Sequence, residues 1–178
     1  MKNRRLVSML ALSLVFPTAL AGGMAGMPMG PVSTAQVSND SDVLFMEVMT
    51  MSNLAEIETS RLALQKSSNA QVRAFAQMMI TEHTRAQNEL NAIAAMKGVR
   101  LTDKPGADQR LLYNRLSTLS GAAFDAAYKN VQVNGHAMTL DLIQTYRSLP
   151  GRDARVLAYA AKTQPVVAAH LERAKTLP

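Results

Sequence analysis

From Asp40 to Lys175 apolar side chains recur at steps of three and four, the spacing that lines one face of an α-helix, and no alternating strand-like stretch competes. The breaks in this pattern delimit four long helices. The first, capped by Asp40 or Ser41 and running to about Lys66, places Leu44, Val48, Met51, Leu54, Ala55, Glu58 and Leu62 on its inner stripe, so that Glu58 points at the interior. After Ser67-Ser68-Asn69 a second helix runs to Lys97 and is closed by Gly98. It carries Val72, Phe75, Ala76, Met79, His83, Ala86, Leu90 and Ile93 inward.

Arg100 to Gly106 reads as a crossover, followed by a short helix from about Ala107 to Thr118 built on Leu111, Leu112, Leu116 and Leu119. Ser120 caps a third long helix to about Arg147, with Phe124, Ala127, Tyr128, Val131, Met138 and Leu142 inside. His136 falls at the flank of that stripe, in a row with Val133, Leu140 and Ile143. Leu149-Pro150-Gly151 ends it. A fourth helix from Arg152 to about Lys175 turns Val156, Tyr159, Ala160, Thr163, Val167, His170 and Ala174 to one side, with Pro165 inside it. Helices of about 25 residues are about 38 Å long and fit side by side. Short links within the first and last pairs and a longer middle connection predict an all-α fold, an antiparallel four-helix bundle with a short extra helix in the middle crossover.

The chain ahead of this region has a different character. Lys2, Arg4 and Arg5 precede an apolar run from Leu6 to Leu20 that ends at Ala19-Leu20-Ala21, the layout of a secretory signal peptide over residues 1–21. Residues 22–40 are rich in Gly, Met, Pro and Ser without helical or strand period and read as a flexible linker, leaving 41–177 as the bundle. The expected product is exported, periplasmic or extracellular. Its loss of the leader changes the charge picture: the whole chain carries +6, but without the three basic residues of 1–21 it has 16 basic against 13 acidic residues, or +3. That charge is scattered along helix faces, so no nucleic-acid partner is expected. No second apolar stretch approaches the ~20 residues of a transmembrane helix.

The chain has no Cys, which removes disulfides, thiolate metal sites and a Cys nucleophile; any metal must be held by His and carboxylates. There are three His, one each on the second, third and fourth long helices. An apolar-face His is either a core residue tied to a carboxylate or a ligand. Three on different helices, with Glu58 on the remaining one, can converge in a bundle interior, and imidazoles with one carboxylate suit Fe, Zn, Mn or Cu. Met24, Met27 and Met29 in the linker supply soft sulfur of the kind Cu(I) takes. Glu56, about 200 degrees around the helix from Glu58, is expected in solvent, and Glu82 with Arg85 reads as a surface ion pair. No Gly-x-Ser-x-Gly elbow, phosphate loop or His-Glu-x-x-His occurs, so catalysis has little to rest on.

Several stretches are similar to a known family. Ser52-Asn53-Leu54-Ala55-Glu56-Ile57-Glu58, Val72 to Met79 leading to Glu82-His83, Leu119-Ser120-Gly121-Ala122-Ala123-Phe124-Asp125 leading to Tyr128 and His136, and Ala158 to Leu171 with Pro165 and His170 resemble the exported bundles of the domain-of-unknown-function 4142 family. The resemblance spans about residues 42 to 177 and implies a ferritin-like four-helix fold with no settled activity. Family members usually carry an acidic residue before the third-helix His, where this chain has Gly135. The Glu-x-x-His pairs of di-iron proteins are absent, since Ile80, Val133 and Val167 stand three residues before the His. Three readings follow. One is a non-enzymatic envelope protein holding one transition-metal ion through Glu58, His83, His136 and His170. Another is a metal-free interaction or stress-tolerance module with an envelope protein partner. The third is copper handling that joins the linker Met residues to the His.

Overall fold

A computed structural model describes residues 32–178. Among them are five α-helices and a 3-10 turn, with no strand: α1 (Ser41–Lys66), α2 (Ala70–Met96), α3 (Ala107–Ser117), α4 (Gly121–Ser148) and α5 (Ala154–Lys175). No helix among these residues is long and apolar enough to cross a membrane. The expected signal peptide and the Met24, Met27 and Met29 group lie outside the described residues.

Short polar side chains start three of the long helices. Asp40, Asn69 and Asp153 each accept two backbone N–H bonds from the first turn of α1, α2 and α5, using donors that the helix itself leaves free. Ser120 stands at the corresponding position of α4 and makes no such bond. Gly98, at φ +64°, takes the left-handed turn that closes α2. α5 runs unbroken through Pro165. The last residues of the expected linker are tied down: Thr34 N donates to Arg100 O at 2.8 Å, and Arg100 N to Thr34 Oγ1 at 2.8 Å.

α1 packs on α2 and on α4, and α5 packs on α4 and on α2, while α3 lies against α1 and α4. The interior has two apolar parts. One gathers Phe45, Met46, Met49, Leu90, Ile93, Ile143, Tyr146, Val156 and Tyr159. The other gathers Leu62, Val72, Phe75, Met79, Phe124, Tyr128 and Ala174. Along every long helix a polar stretch falls between the two: Asn53 to Ser60 in α1, His83 and Gln87 in α2, Gln132 and His136 in α4, and His170 in α5. Burying so many polar groups is tolerated only where they bond one another or a ligand.

This polar layer overturns part of the expected stripe on α1. Leu44 and Val48 are exposed, and the inner face is instead Met46, Met49, Thr50, Asn53, Glu56, Ile57, Ser60 and Ala63, a row of threes and fours that mixes polar with apolar residues. Met138, expected inside α4, is also exposed. The carboxylates of α1 therefore exchange roles: Glu58 is exposed and Glu56 is buried.

Candidate metal centre

His83, His136 and His170 are all buried and meet in the polar layer. Their ring centroids are 5.4 to 5.8 Å apart, and one ring nitrogen of each lies within 4.8 Å of one from each of the others. His136, expected at the flank of its helix, is turned fully inward with Gln132 and Tyr128, one and two turns before it.

Each ring is held through one of its nitrogens. His136 Nδ1 donates to the backbone oxygen of Gln132 at 2.8 Å; a carbonyl only accepts, so the proton is on Nδ1. His170 Nε2 donates to the Glu82 carboxylate at 2.8 Å. His83 Nδ1 meets Asn53 Oδ1 at 2.9 Å, and Asn53 is oriented by donating its own Nδ2 to Gln87 Oε1 at 3.0 Å. Gln87 is fixed in turn by donating to Thr50 and to Asn91. The nitrogens that remain, His83 Nε2, His136 Nε2 and His170 Nδ1, carry the lone pairs, are buried, and have no hydrogen-bond partner. An imidazole fixed by an oxygen acceptor on one nitrogen, with its lone pair free on the other, is the usual condition of a metal-binding His.

The electrostatics point the same way. Burial, then the neighbouring His136 and His170, hold the His83 ring well below its ordinary pKa of 6.5. Burial also lowers that of His170, partly opposed by its bond to Glu82. Both rings are therefore neutral at pH 7, as ligation requires. Nitrogens bound to one ion at about 2 Å sit roughly 3.5 Å apart, so rings whose nitrogens lie within 4.8 Å need to close by at most about 1.3 Å.

Glu58 takes no part: it is exposed and outside the cluster. The nearby carboxylate is that of Glu56, whose Oε1 lies 3.7 Å from His136 Nδ1, on the side of the ring that faces Gln132 O. Burial raises its pKa, with His136 and Gln132 pulling the other way, and its Oε2 has no partner. Gly135 keeps the approach uncrowded, since a Cβ there would stand 3.3 Å from Glu56 Oε1. Where the resemblance led us to look for an acidic residue just before His136, a carboxylate arrives from α1 instead. Glu82, expected to pair with Arg85, bonds His170.

Among solved structures, "CopM in the Cu(I)-bound form" is similar to this chain, with a TM-score of 0.64 at 18% sequence identity, covering 75% of this chain and 92% of that one. At that identity the likeness is one of fold. No curated protein matches the chain. Residues 27–177 match the family described as "Domain of unknown function (DUF4142)", and the chain belongs to that family.

Proposed function

We propose that this protein is an exported, non-enzymatic, ferritin-like antiparallel bundle that holds one transition-metal ion through His83, His136 and His170. The observation that carries the reading is the meeting of three buried imidazoles, each with one nitrogen tied to an oxygen acceptor and the other without a hydrogen-bond partner. The arrangement of the helices is supported by the order in which each meets the two apolar clusters: α1 and α5 run from the Phe45 cluster to the Phe75 cluster, and α2 and α4 run back. Export rests on the leader pattern of residues 1–21.

Three neutral nitrogen donors without a carboxylate suit copper or zinc better than iron or manganese, which prefer oxygen. The Cu(I)-bound state of CopM, which shares the fold, makes copper the first ion to test. The role of this chain's residues is to hold: Asn53, Glu82 and the Gln132 carbonyl fix the rings, and the two apolar clusters keep water from the site. The test is elemental metal content of protein purified without chelator or affinity His, beside a His83/His136/His170 triple Ala variant of equal helicity. One equivalent in the wild type and none in the variant supports the reading. Equal, substoichiometric metal in both refutes it and favours a metal-free interaction module.

A further inference from the structure

α3 has one buried side chain, Leu116, and turns another face outward. At about 100° per residue, Asp108, Leu111, Leu112 and Arg115 share an arc of roughly 100° on the helix, and all four are exposed. Beside them the seam between α1 and α4 is unfilled, a groove of about 760 Å³ that Val48, Leu112 and Met138 line while remaining exposed. Leu44 stands one turn before Val48 on α1. Of the ten large apolar side chains exposed among the described residues, five therefore belong to this one side of the bundle: Leu44, Val48, Leu111, Leu112 and Met138. An apolar patch of this kind, rimmed by charge, marks an interaction surface.

The charges on α3 identify the occupant. Asp108 and Arg115 both border the groove and stand two turns apart, one at each end of the Leu111-Leu112 pair. Among the described residues neither has a salt-bridge partner. Their placement is symmetric about the midpoint between the two leucines. A two-fold axis through that midpoint lays a second copy of the helix antiparallel to the first, with Asp108 against its Arg115, Arg115 against its Asp108, and Leu111 against its Leu112. Antiparallel helices about 8–10 Å apart bring such side chains into contact. The face is thus complementary in charge to itself, which is what a two-fold interface between identical chains requires.

We propose that this face is the interface of a two-fold symmetric homodimer in which the two α3 helices pair antiparallel. Leu111 of each copy enters the groove of the other beside Leu112, and an ion pair between Asp108 and Arg115 closes each end. The patch is smaller than the interfaces of permanent dimers, so the association is reversible. The proposal stands apart from the metal reading, since it uses none of the three imidazoles.

Sedimentation equilibrium across the micromolar range tests it, on the purified protein and on Leu111→Glu, Asp108→Arg and Arg115→Asp variants of unchanged far-UV circular dichroism, with chelator present so that metal cannot bridge copies. The expected result is a concentration-dependent monomer–dimer equilibrium. Leu111→Glu, at a position exposed in the monomer, should weaken it at least tenfold. Each charge reversal sets like charges opposite one another at both ends of the helix pair and should also weaken self-association about tenfold or more. Mixed one to one, the two reversed proteins should pair with each other at the original affinity or better, because one face is then wholly positive and the other wholly negative. A monomer at every concentration would overturn the proposal, and so would a dimer indifferent to Leu111→Glu. Failure of the two reversed proteins to pair would overturn the antiparallel arrangement of α3, and with it the proposal. All of the substituted side chains are exposed, so the comparison does not depend on repacking the core.

Discussion

His136 Nδ1 donates to the carbonyl of Gln132, one turn earlier on the same helix, at 2.8 Å. This contact sets the ring's tautomer without help from any other side chain, and it leaves the Nε2 lone pair without a hydrogen-bond partner. The other two rings rely on side chains, which can be removed. Asn53→Ala deprives His83 of its acceptor, and Glu82→Ala deprives His170. Each is expected to weaken metal affinity about 10- to 100-fold while leaving the three ligands in place. Competition with a chromophoric chelator measures this; unchanged affinity in both variants would mean that these contacts do not orient ligands.

Metal should stabilise the fold, because the unfolded chain does not hold three imidazoles together. At a free metal concentration one hundred times Kd the gain is about 2.7 kcal/mol. Thermal melts with metal and with chelator should differ accordingly in the wild type and coincide in the triple Ala variant. Coincident wild-type curves would contradict a site built from these residues.

Acid should destabilise the metal-free protein. Burial depresses the His83 and His170 pKa values in the folded state, so below about 6.5 the unfolded chain binds more protons than the folded one. The stability that neutral rings provide is complete above that pH and is lost as pH falls through and below it. Midpoints of urea unfolding should fall between pH 7.5 and 5.5, and less steeply in a His83→Gln/His170→Gln variant. Parallel pH profiles would show that these rings are not the cause.

The two carboxylates of α1 should behave oppositely. Glu58 is exposed, so Glu58→Ala should change stability by no more than about 0.5 kcal/mol and leave metal content untouched. Glu56→Ala deletes a buried side chain packed beside His136 and Gly135 and should lower the unfolding midpoint measurably. The reverse result would restore the inward orientation of Glu58 read from apolar spacing.

That reversal also explains how much of the site was legible. Helix limits, the Asn69 cap, the Gly98 stop and the inward stripes of α2 and α5 follow from spacing, because those stripes are largely apolar, and His83 and His170 ride on them. On α1 the buried face holds Thr50, Asn53, Glu56, Thr59 and Ser60, so counting only apolar residues selects a face that includes exposed Leu44 and Val48. Glu56 and Glu58 are two residues apart, and this choice of face therefore swaps them. On α4 the fully buried Gln132 hides the row of fours, Phe124, Tyr128, Gln132 and His136, that turns His136 inward. The row Met46, Met49, Thr50, Asn53, Glu56, Ile57, Ser60 and Ala63 keeps a helical step throughout, and admitting polar residues to the stripe would have found Glu56.

The central claim is that three imidazoles bind one ion, and X-ray absorption of protein loaded with one equivalent of Cu(I) tests it most directly. The account predicts a nitrogen shell at about 2.0 Å with the multiple-scattering pattern of three imidazoles, lost in the His83/His136/His170 triple Ala variant. A shell dominated by sulfur, or one that persists in the variant, would contradict it.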